Sequence, residues 1–140
     1  MKLTDKDKDL IAAATAAIKS RYRNDWQEVG AALRTRDGRL VVGVNLDAYV
    51  GRGAVCAEAV AIGTALTDKG DQGIDTIVAV RHPKPGEKGD IAVVSPCGAC
   101  RELIHDYDAK ARVIVPDGAK GPTVVTIGEL LPNKYRRGVM

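Results

Sequence analysis

The connection between the last two apolar runs is the sequence feature that most limits the fold of this chain. The runs Arg112–Val115 and Thr123–Val125 have the β-branched composition of strands, and only the segment 116–122, rich in Pro and Gly, separates them. Parallel neighbouring strands need a crossover of about a dozen residues or more. The segment is too short for such a crossover, so the last two strands are predicted to be antiparallel.

Helical and strand patterns alternate along the rest of the chain. Thr4 precedes apolar residues that recur at helical spacing up to Ser20, which predicts a first helix with Thr4 as its cap. The expected elements that follow are two strands, a helix, a strand and a helix, over residues 29–33, 40–44, 56–67, 76–80 and from Pro96 onward. Together with the last hairpin, this order predicts a three-layer α/β/α sandwich around a mixed five-stranded sheet.

Length and charge predict one soluble domain over residues 1–140. A domain of about 150 residues has room for a single core. No apolar run approaches the roughly 20 residues of a membrane span. The 21 basic residues are scattered among 18 acidic ones, so neither a membrane nor a nucleic acid is an expected partner. A charged stretch at residues 1–7, where a secretory signal would be apolar, and three cysteines, which cannot all pair, predict a cytoplasmic protein.

Two short motifs predict a zinc site with an open coordination position. They are Cys-Ala-Glu at residues 56–58 and Pro-Cys-Gly-Ala-Cys at residues 96–100, and each opens a predicted helix. Catalytic zinc usually has three protein ligands and a water in the fourth position. The expected ligands are the three thiolates of Cys56, Cys97 and Cys100. Glu58 would be the base beside the water.

The charges of this arrangement are consistent with catalysis. Zn²⁺ with three thiolates carries a formal charge of +2 − 3 = −1, and the N-termini of the two predicted helices offset it while lowering the pKa of the thiols. Zinc lowers the pKa of a bound water from about 15.7 towards about 7–9. Glu58 could then pass protons from that water to a ring nitrogen and to a leaving amine, which would release ammonia.

Other interpretations of the same residues remain open at this point. Cys97 and Cys100 alone could be a redox pair of the thioredoxin type, although that leaves Glu58 with only the role of complementing a helix N-terminus. His82 could be the fourth ligand of a closed, structural zinc site in a non-catalytic domain. His105 is not an expected ligand, because five positions beyond Cys100 it lies roughly 140° around the helix.

From about Val29 to Tyr135 the chain resembles the cytidine deaminase superfamily, in particular its small homotetrameric branch that acts on free nucleosides. The superfamily's signature is His or Cys, one residue, Glu, and later Pro-Cys-x-x-Cys. Four segments look most like the bacterial blasticidin S deaminases, at residues 47–52, 55–63, 80–83 and 95–104. The resemblance implies zinc on the three cysteines, proton transfer by Glu58, a homotetramer and a small nucleoside substrate.

The resemblance also implies substrate contacts. The backbone at Ala57 and around Ser95 would hold the pyrimidine edge, and Asn45 matches an asparagine that contacts the sugar. Asp47 stands where the family has a glutamate as its next sugar ligand. Tyr135 matches a C-terminal aromatic residue that reaches a site and could stack on the substrate.

The expected reaction is zinc-dependent hydrolysis of blasticidin S to deaminohydroxyblasticidin S with loss of ammonia. Blasticidin S has a carboxylate on its sugar and a guanidinium on its tail, so charge complementarity assigns Arg81 or Arg52 to the former and Asp47 to the latter. Deamination of cytidine or deoxycytidine in pyrimidine salvage is the first alternative. The non-catalytic domain with His82 as zinc ligand is the second.

Overall fold

A computed structural model describes residues 1–138 as one sheet with helices on both faces. The helices are α1 (Asp5–Arg21), α2 (Ala57–Lys69), α3 (Gly98–Tyr107) and α4 (Ile127–Leu130). The strands are β1 (Val29–Arg34), β2 (Leu40–Val44), β3 (Thr76–Arg81), β4 (Ala92–Val94), β5 (Arg112–Pro116) and β6 (Pro122–Thr126). The predicted three-layer α/β/α architecture is confirmed.

The sheet is mixed, with strand order β2-β1-β3-β5-β6. Among the strands of residues 1–138, β3 and β5 are the only parallel neighbours. The pairs β1–β2, β1–β3, β3–β4 and β5–β6 are antiparallel. The predicted antiparallel ending is confirmed, since β5 and β6 pair from Arg112 opposite Thr126 to Pro116 opposite Pro122. The short connection between them thus fixed the direction of the last strand.

The expected count of five strands is one too low within residues 1–138. The additional strand, β4, pairs with the C-terminal part of β3, from Ala79 opposite Val94 to Arg81 opposite Ala92. The parallel strand β5 pairs with the N-terminal part of β3, at Thr76 and Ile77. At three residues, β4 is too short to show a strand period in the sequence, and it leads directly into the second cysteine motif.

Two apolar clusters cover the two faces of the sheet. One face packs on α1, and the other packs on α2, α3 and α4. Successive side chains of β1 point to opposite faces of the sheet. Ala31 and Leu33 therefore belong to the cluster under α2, and Ala32 belongs to the cluster under α1. The central strands are therefore buried on both sides, as their apolar sequences predict.

Gly43 allows α2 to approach β2 closely. A Cβ atom at this position would lie 2.7 Å from the Ala61 backbone nitrogen and 2.9 Å from the Ala57 carbonyl oxygen. Both contacts are far shorter than ordinary van der Waals distances, so any larger residue would displace the helix. Since Cys56 and Glu58 lie at the start of α2, this contact helps to position the candidate site.

An ion pair fixes α1 to the opposite face of the sheet. Asp7 is 2% exposed and accepts hydrogen bonds from both terminal nitrogens of Arg112, each at 2.9 Å. Asp7 also forms a capping box with Thr4, which confirms the predicted start of the first helix. This pair belongs to the scaffold and lies in the layer that does not carry the cysteines.

Candidate active site

The three cysteine sulfurs converge at the N-termini of two helices. Cys56 occupies the N-cap position of α2, Cys97 occupies that of α3, and Cys100 lies in the first turn of α3. The three sulfurs all lie within 4.8 Å of one another, and those of Cys56 and Cys97 are 3.7 Å apart. A tetrahedral zinc ion with Zn–S bonds of about 2.3 Å separates its sulfurs by about 3.8 Å. The zinc cluster, as we call these three residues, therefore fits zinc.

The thiol environment also fits a bound cation. Burial raises the pKa of the Cys100 thiol, and the neighbouring Glu58 carboxylate raises it further. Burial acts in the same direction on Cys97, but N–H groups of Cys100 and Ala99 and the neighbouring thiols outweigh it and lower the pKa of Cys97. A divalent cation would supply the positive charge that three thiolates in this position need.

No fourth protein ligand joins the zinc cluster within residues 1–138. His82 instead stacks on Tyr22, with ring centroids 3.7 Å apart, and its Nδ1 lies 2.7 Å from the Pro83 carbonyl oxygen. This placement contradicts a closed site with His82 as fourth ligand. The convergence of Cys56 with the other two cysteines likewise does not fit a simple two-cysteine redox pair.

Glu58 lies beside the zinc cluster on the first turn of α2. It is 5% exposed and borders the adjacent cavity rather than bulk solvent. Burial raises the pKa of Glu58, and hydrogen bonds from its own N–H and from Cys100 oppose that rise only in part. A carboxyl group that takes up a proton more readily than usual is suited to general acid–base catalysis.

A cavity of about 370 Å³ lies over Glu58 and two of the three cysteines. This volume is in the range of small-molecule sites. Seven of the residues predicted from the sequence border it, namely Asn45, Asp47, Cys56, Ala57, Glu58, Ser95 and Cys97. The other bordering residues are Val29, Leu46, Ala54, Val55 and Val94.

Sequence reasoning missed these five apolar or small residues of the cavity wall. Leu46 and Val55 form an isolated bridge with two backbone hydrogen bonds of 2.8 Å, which closes the loop between β2 and α2 at its base. Val94 ends β4, the strand absent from the sequence prediction. Leu46, Val55 and Val94 each adjoin a predicted site residue in the sequence, whereas Val29 carries no such signal.

Backbone contacts hold the Asn45 side chain at the cavity wall. Its Oδ1 accepts hydrogen bonds from the N–H groups of Glu28 at 2.8 Å and Val29 at 3.0 Å, and its Nδ2 donates to the Trp26 carbonyl at 2.9 Å. One amide hydrogen is left without a protein partner in these bonds. Asp47 is exposed, and its Oδ1 accepts a hydrogen bond from the Ala48 N–H at 2.7 Å.

Three predicted substrate contacts do not border the cavity of their own chain. Arg81 forms an ion pair with Glu87 at 3.0 Å, and Arg52 is exposed in a 3₁₀ turn between β2 and α2. Tyr135 is 73% exposed and lies in the C-terminal segment beside α3. Their roles stay predictions.

Comparisons with known proteins agree with this site. Residues 4–116 match the family described as the cytidine and deoxycytidylate deaminase zinc-binding region. The chain is 46% identical to blasticidin-S deaminase of Bacillus cereus over 136 residues, which cover 96% of each chain. It is 30% identical to a cytidine deaminase of Sporosarcina psychrophila over 78% of this chain and 75% of that one.

A solved structure agrees as well. The crystal structure of cytidine deaminase from Mycobacterium leprae superposes with a TM-score of 0.73, at 30% identity, covering 90% of this chain and 97% of that one. Fold and site together define a zinc-dependent aminohydrolase. The chain belongs to the cytidine deaminase family.

None of the helices in residues 1–138 combines the length and hydrophobicity of a membrane span.

Proposed function

We propose that this chain hydrolyses the exocyclic amino group of the cytosine moiety of blasticidin S, giving deaminohydroxyblasticidin S and ammonia. The observation that carries the reaction type is the buried Glu58 carboxyl beside three converging sulfurs, at one end of a cavity suited to a small molecule. The similarity to the Bacillus cereus blasticidin-S deaminase, at 46% identity, supports the choice of substrate and a role in antibiotic resistance.

The chemistry assigns one main task to Glu58. Cys56, Cys97 and Cys100 would hold a zinc ion, which would supply Lewis-acid activation of the attacking water. Glu58 accepts a proton from that water and delivers it to the ring nitrogen next to the attacked carbon. The water oxygen bonds to C4 in this step. The proton that remains on this oxygen then passes through Glu58 to the amino group, the C4–N bond breaks, and ammonia leaves.

The cavity wall supports a recognition scheme for the nucleoside. Ala57 and Ser95 border the cavity next to the catalytic residues, where their backbone can hydrogen-bond the pyrimidine edge. The remaining amide hydrogen of Asn45 is available to a sugar oxygen. The exposed Asp47 carboxylate is available to the guanidinium of the tail, and Arg52 or Arg81 would bind the carboxylate on the sugar.

We also propose a homotetramer that works in the cytoplasm. Leu46, Tyr49 and Val50 follow β2 and are 49%, 99% and 72% exposed, which is an unusual amount of apolar surface for the loop of a monomer. Tyr135 lies away from its own cavity, so its stacking role requires the cavity of a neighbouring subunit. Sedimentation of the purified protein tests this assembly, and a monomer at micromolar concentration would contradict it.

The substrate is tested by comparing kcat/KM for blasticidin S, cytidine and deoxycytidine from the change in ultraviolet absorbance. We expect blasticidin S to be preferred by at least about 10-fold, which is about 1.4 kcal/mol. A preference for cytidine or deoxycytidine would support the salvage reaction instead, which the resemblance to cytidine deaminases favours. Absence of activity on all three would contradict the proposal.

A further inference from the structure

Arg101 connects the zinc cluster to the C-terminal part of the chain. It follows Cys100 on α3 and is half-buried. Its Nε donates a hydrogen bond of 2.9 Å to the Pro96 carbonyl, and its Nη1 donates one of 3.1 Å to the Leu130 carbonyl. No carboxylate of residues 1–138 forms an ion pair with it, so its guanidinium is committed to main-chain oxygens of two separate segments.

The first of these segments carries a zinc ligand but has no regular structure of its own. Residues 95–97 lie between β4 and α3 and belong to neither element. Pro96 has no N–H group, so its carbonyl is the only main-chain hydrogen-bonding group that this residue can offer. Because Pro96 directly precedes Cys97, the bond from Arg101 restrains the peptide that determines where the Cys97 sulfur lies.

The second segment is the end of α4. Leu130 is the last residue of this helix, and its carbonyl is one of those that a helix leaves without an internal partner. Beyond it, Lys134 forms ion pairs with Glu102 at 2.8 Å and Asp106 at 2.7 Å on α3. Several α3 side chains therefore bind the C-terminal segment, and Arg101 is the one that also binds the loop before Cys97.

We propose that Arg101 is a positioning residue for the zinc cluster. A planar guanidinium can hold two carbonyls in fixed directions at once, whereas the single nitrogen of lysine is not preorganised for both. Residues that orient metal ligands typically change metal affinity or activity by about 10–100-fold when removed.

The test is zinc retention, which does not depend on the identity of the nucleoside. Arg101→Met removes the donors and the charge but keeps much of the side-chain bulk, and Arg101→Lys keeps the charge with one nitrogen. Arg36→Ala is the matched control, because Arg36 binds Asp108 at the opposite end of α3 through bonds of 2.7 and 3.2 Å. Each purified, zinc-loaded variant is mixed with a chromogenic chelator, and the rate of zinc release is recorded.

We expect Arg101→Met to release zinc at least about 10-fold faster than the unmodified protein. Arg101→Lys should be intermediate, and Arg36→Ala should release zinc within about 2-fold of the unmodified rate even though it lowers the melting temperature. Substitution of zinc by Co²⁺ adds a spectroscopic readout, since the visible absorption of Co²⁺ reports its geometry. We expect a changed spectrum for Arg101→Met and an unchanged one for Arg36→Ala.

Equal zinc-release rates and equal Co²⁺ spectra for Arg101→Met and Arg36→Ala would overturn the proposal. If Arg101→Met does not fold, Arg101→Lys carries the test against the same control, with an expected release at least about 3-fold faster, a fraction of the full effect. Equal rates for that pair would overturn it too. Failure of the proposed substrate would leave all of these measurements unaffected.

Discussion

The zinc cluster and Glu58 lie at the N-termini of two packed helices. Four residues proposed to recognise the sugar, the tail or the base by charge or stacking lie instead in loops, at a strand end or in the C-terminal segment, namely Asp47, Arg52, Arg81 and Tyr135. The first group meets within one chain. Of the second group, only Asp47 borders the cavity of its own chain. The comparison shows that the residues of the reaction lie on packed helices, whereas the side chains proposed to select the substrate are on loops and chain ends, which vary more readily.

Glu58→Gln, on the helix side of this comparison, is expected to cause the largest loss of activity. Kcat should fall by at least about 100-fold, the low end for general acid–base catalysis, because glutamine cannot carry the proton. Zinc content and melting temperature should stay close to those of the unmodified protein, since the amide is nearly isosteric. Zinc content is measured by mass spectrometry of the metal, and the melting temperature is measured by calorimetry. Full activity in a variant that retains zinc would remove Glu58 from the mechanism.

Gly43→Ala tests the close packing of β2 against α2, the helix that carries Glu58 in its first turn. The new Cβ would lie 2.7 Å from the Ala61 nitrogen, so α2 must move, and we expect a loss of about 1–3 kcal/mol of unfolding free energy. Gly63→Ala is the control, because Gly63 is an exposed residue of the same helix with no atom within 4 Å of the added Cβ. Urea unfolding should show a gain of up to about 1 kcal/mol for the control. Equal stabilities of the two variants would contradict the packing argument.

Asp7→Asn changes the face of the sheet that does not carry the cysteines, so it should lower stability without altering the reaction. Burial raises the pKa of Asp7, but hydrogen bonds from Arg112 and Thr4 outweigh it, and the net pKa is lowered. The stabilisation from this carboxylate is therefore present above its ordinary pKa of about 3.9 and is lost as the pH falls through the lower pKa of the folded state.

We expect Asp7→Asn to cost at least about 1 kcal/mol at pH 7, because the pair with Arg112 is broken. The difference from the unmodified protein should narrow below about pH 4. Urea unfolding across pH 3–7 measures it, and kcat at pH 7 serves as the control, which should change little. A stability difference that is constant over this pH range would contradict the assignment.

Arg52→Ala and Arg81→Ala are expected to have smaller effects, restricted to substrate choice. If one of these arginines binds the carboxylate of blasticidin S, its loss should lower kcat/KM for blasticidin S by about 10-fold, in keeping with a charged hydrogen bond of about 1.5 kcal/mol. The value for cytidine, which lacks the carboxylate, should change little. If both variants leave kcat/KM for blasticidin S unchanged, the proposed contact is wrong.

Much of the fold was predictable because its signals are local. A few neighbouring residues were enough to predict the helix start at Thr4 and the apolar central strand β3. The short connection before β6 was enough to predict the direction of that strand. Each zinc motif is local too, but the meeting of the two motifs was expected from the number and type of ligands that zinc requires. Strand β4 was missed because its three residues form a strand only through pairing with β3.

The other features that the sequence did not reveal depend on contacts between distant segments. Arg101 was not singled out, since its partners, the carbonyls of Pro96 and Leu130, belong to the backbone and leave no trace in residue types. The wall residues Leu46 and Val55 meet only through an isolated bridge. The stacking role proposed for Tyr135 requires the cavity of another copy of the chain, and no pattern within one chain describes such a contact.

X-ray absorption at the zinc edge of the purified protein tests the central claim most directly. Three sulfurs at about 2.3 Å and one lighter ligand at about 2.0 Å are expected, because Cys56, Cys97 and Cys100 are the metal-ligating side chains that converge within residues 1–138. An imidazole signal from a histidine, a fourth sulfur, or fewer than three sulfurs would contradict it.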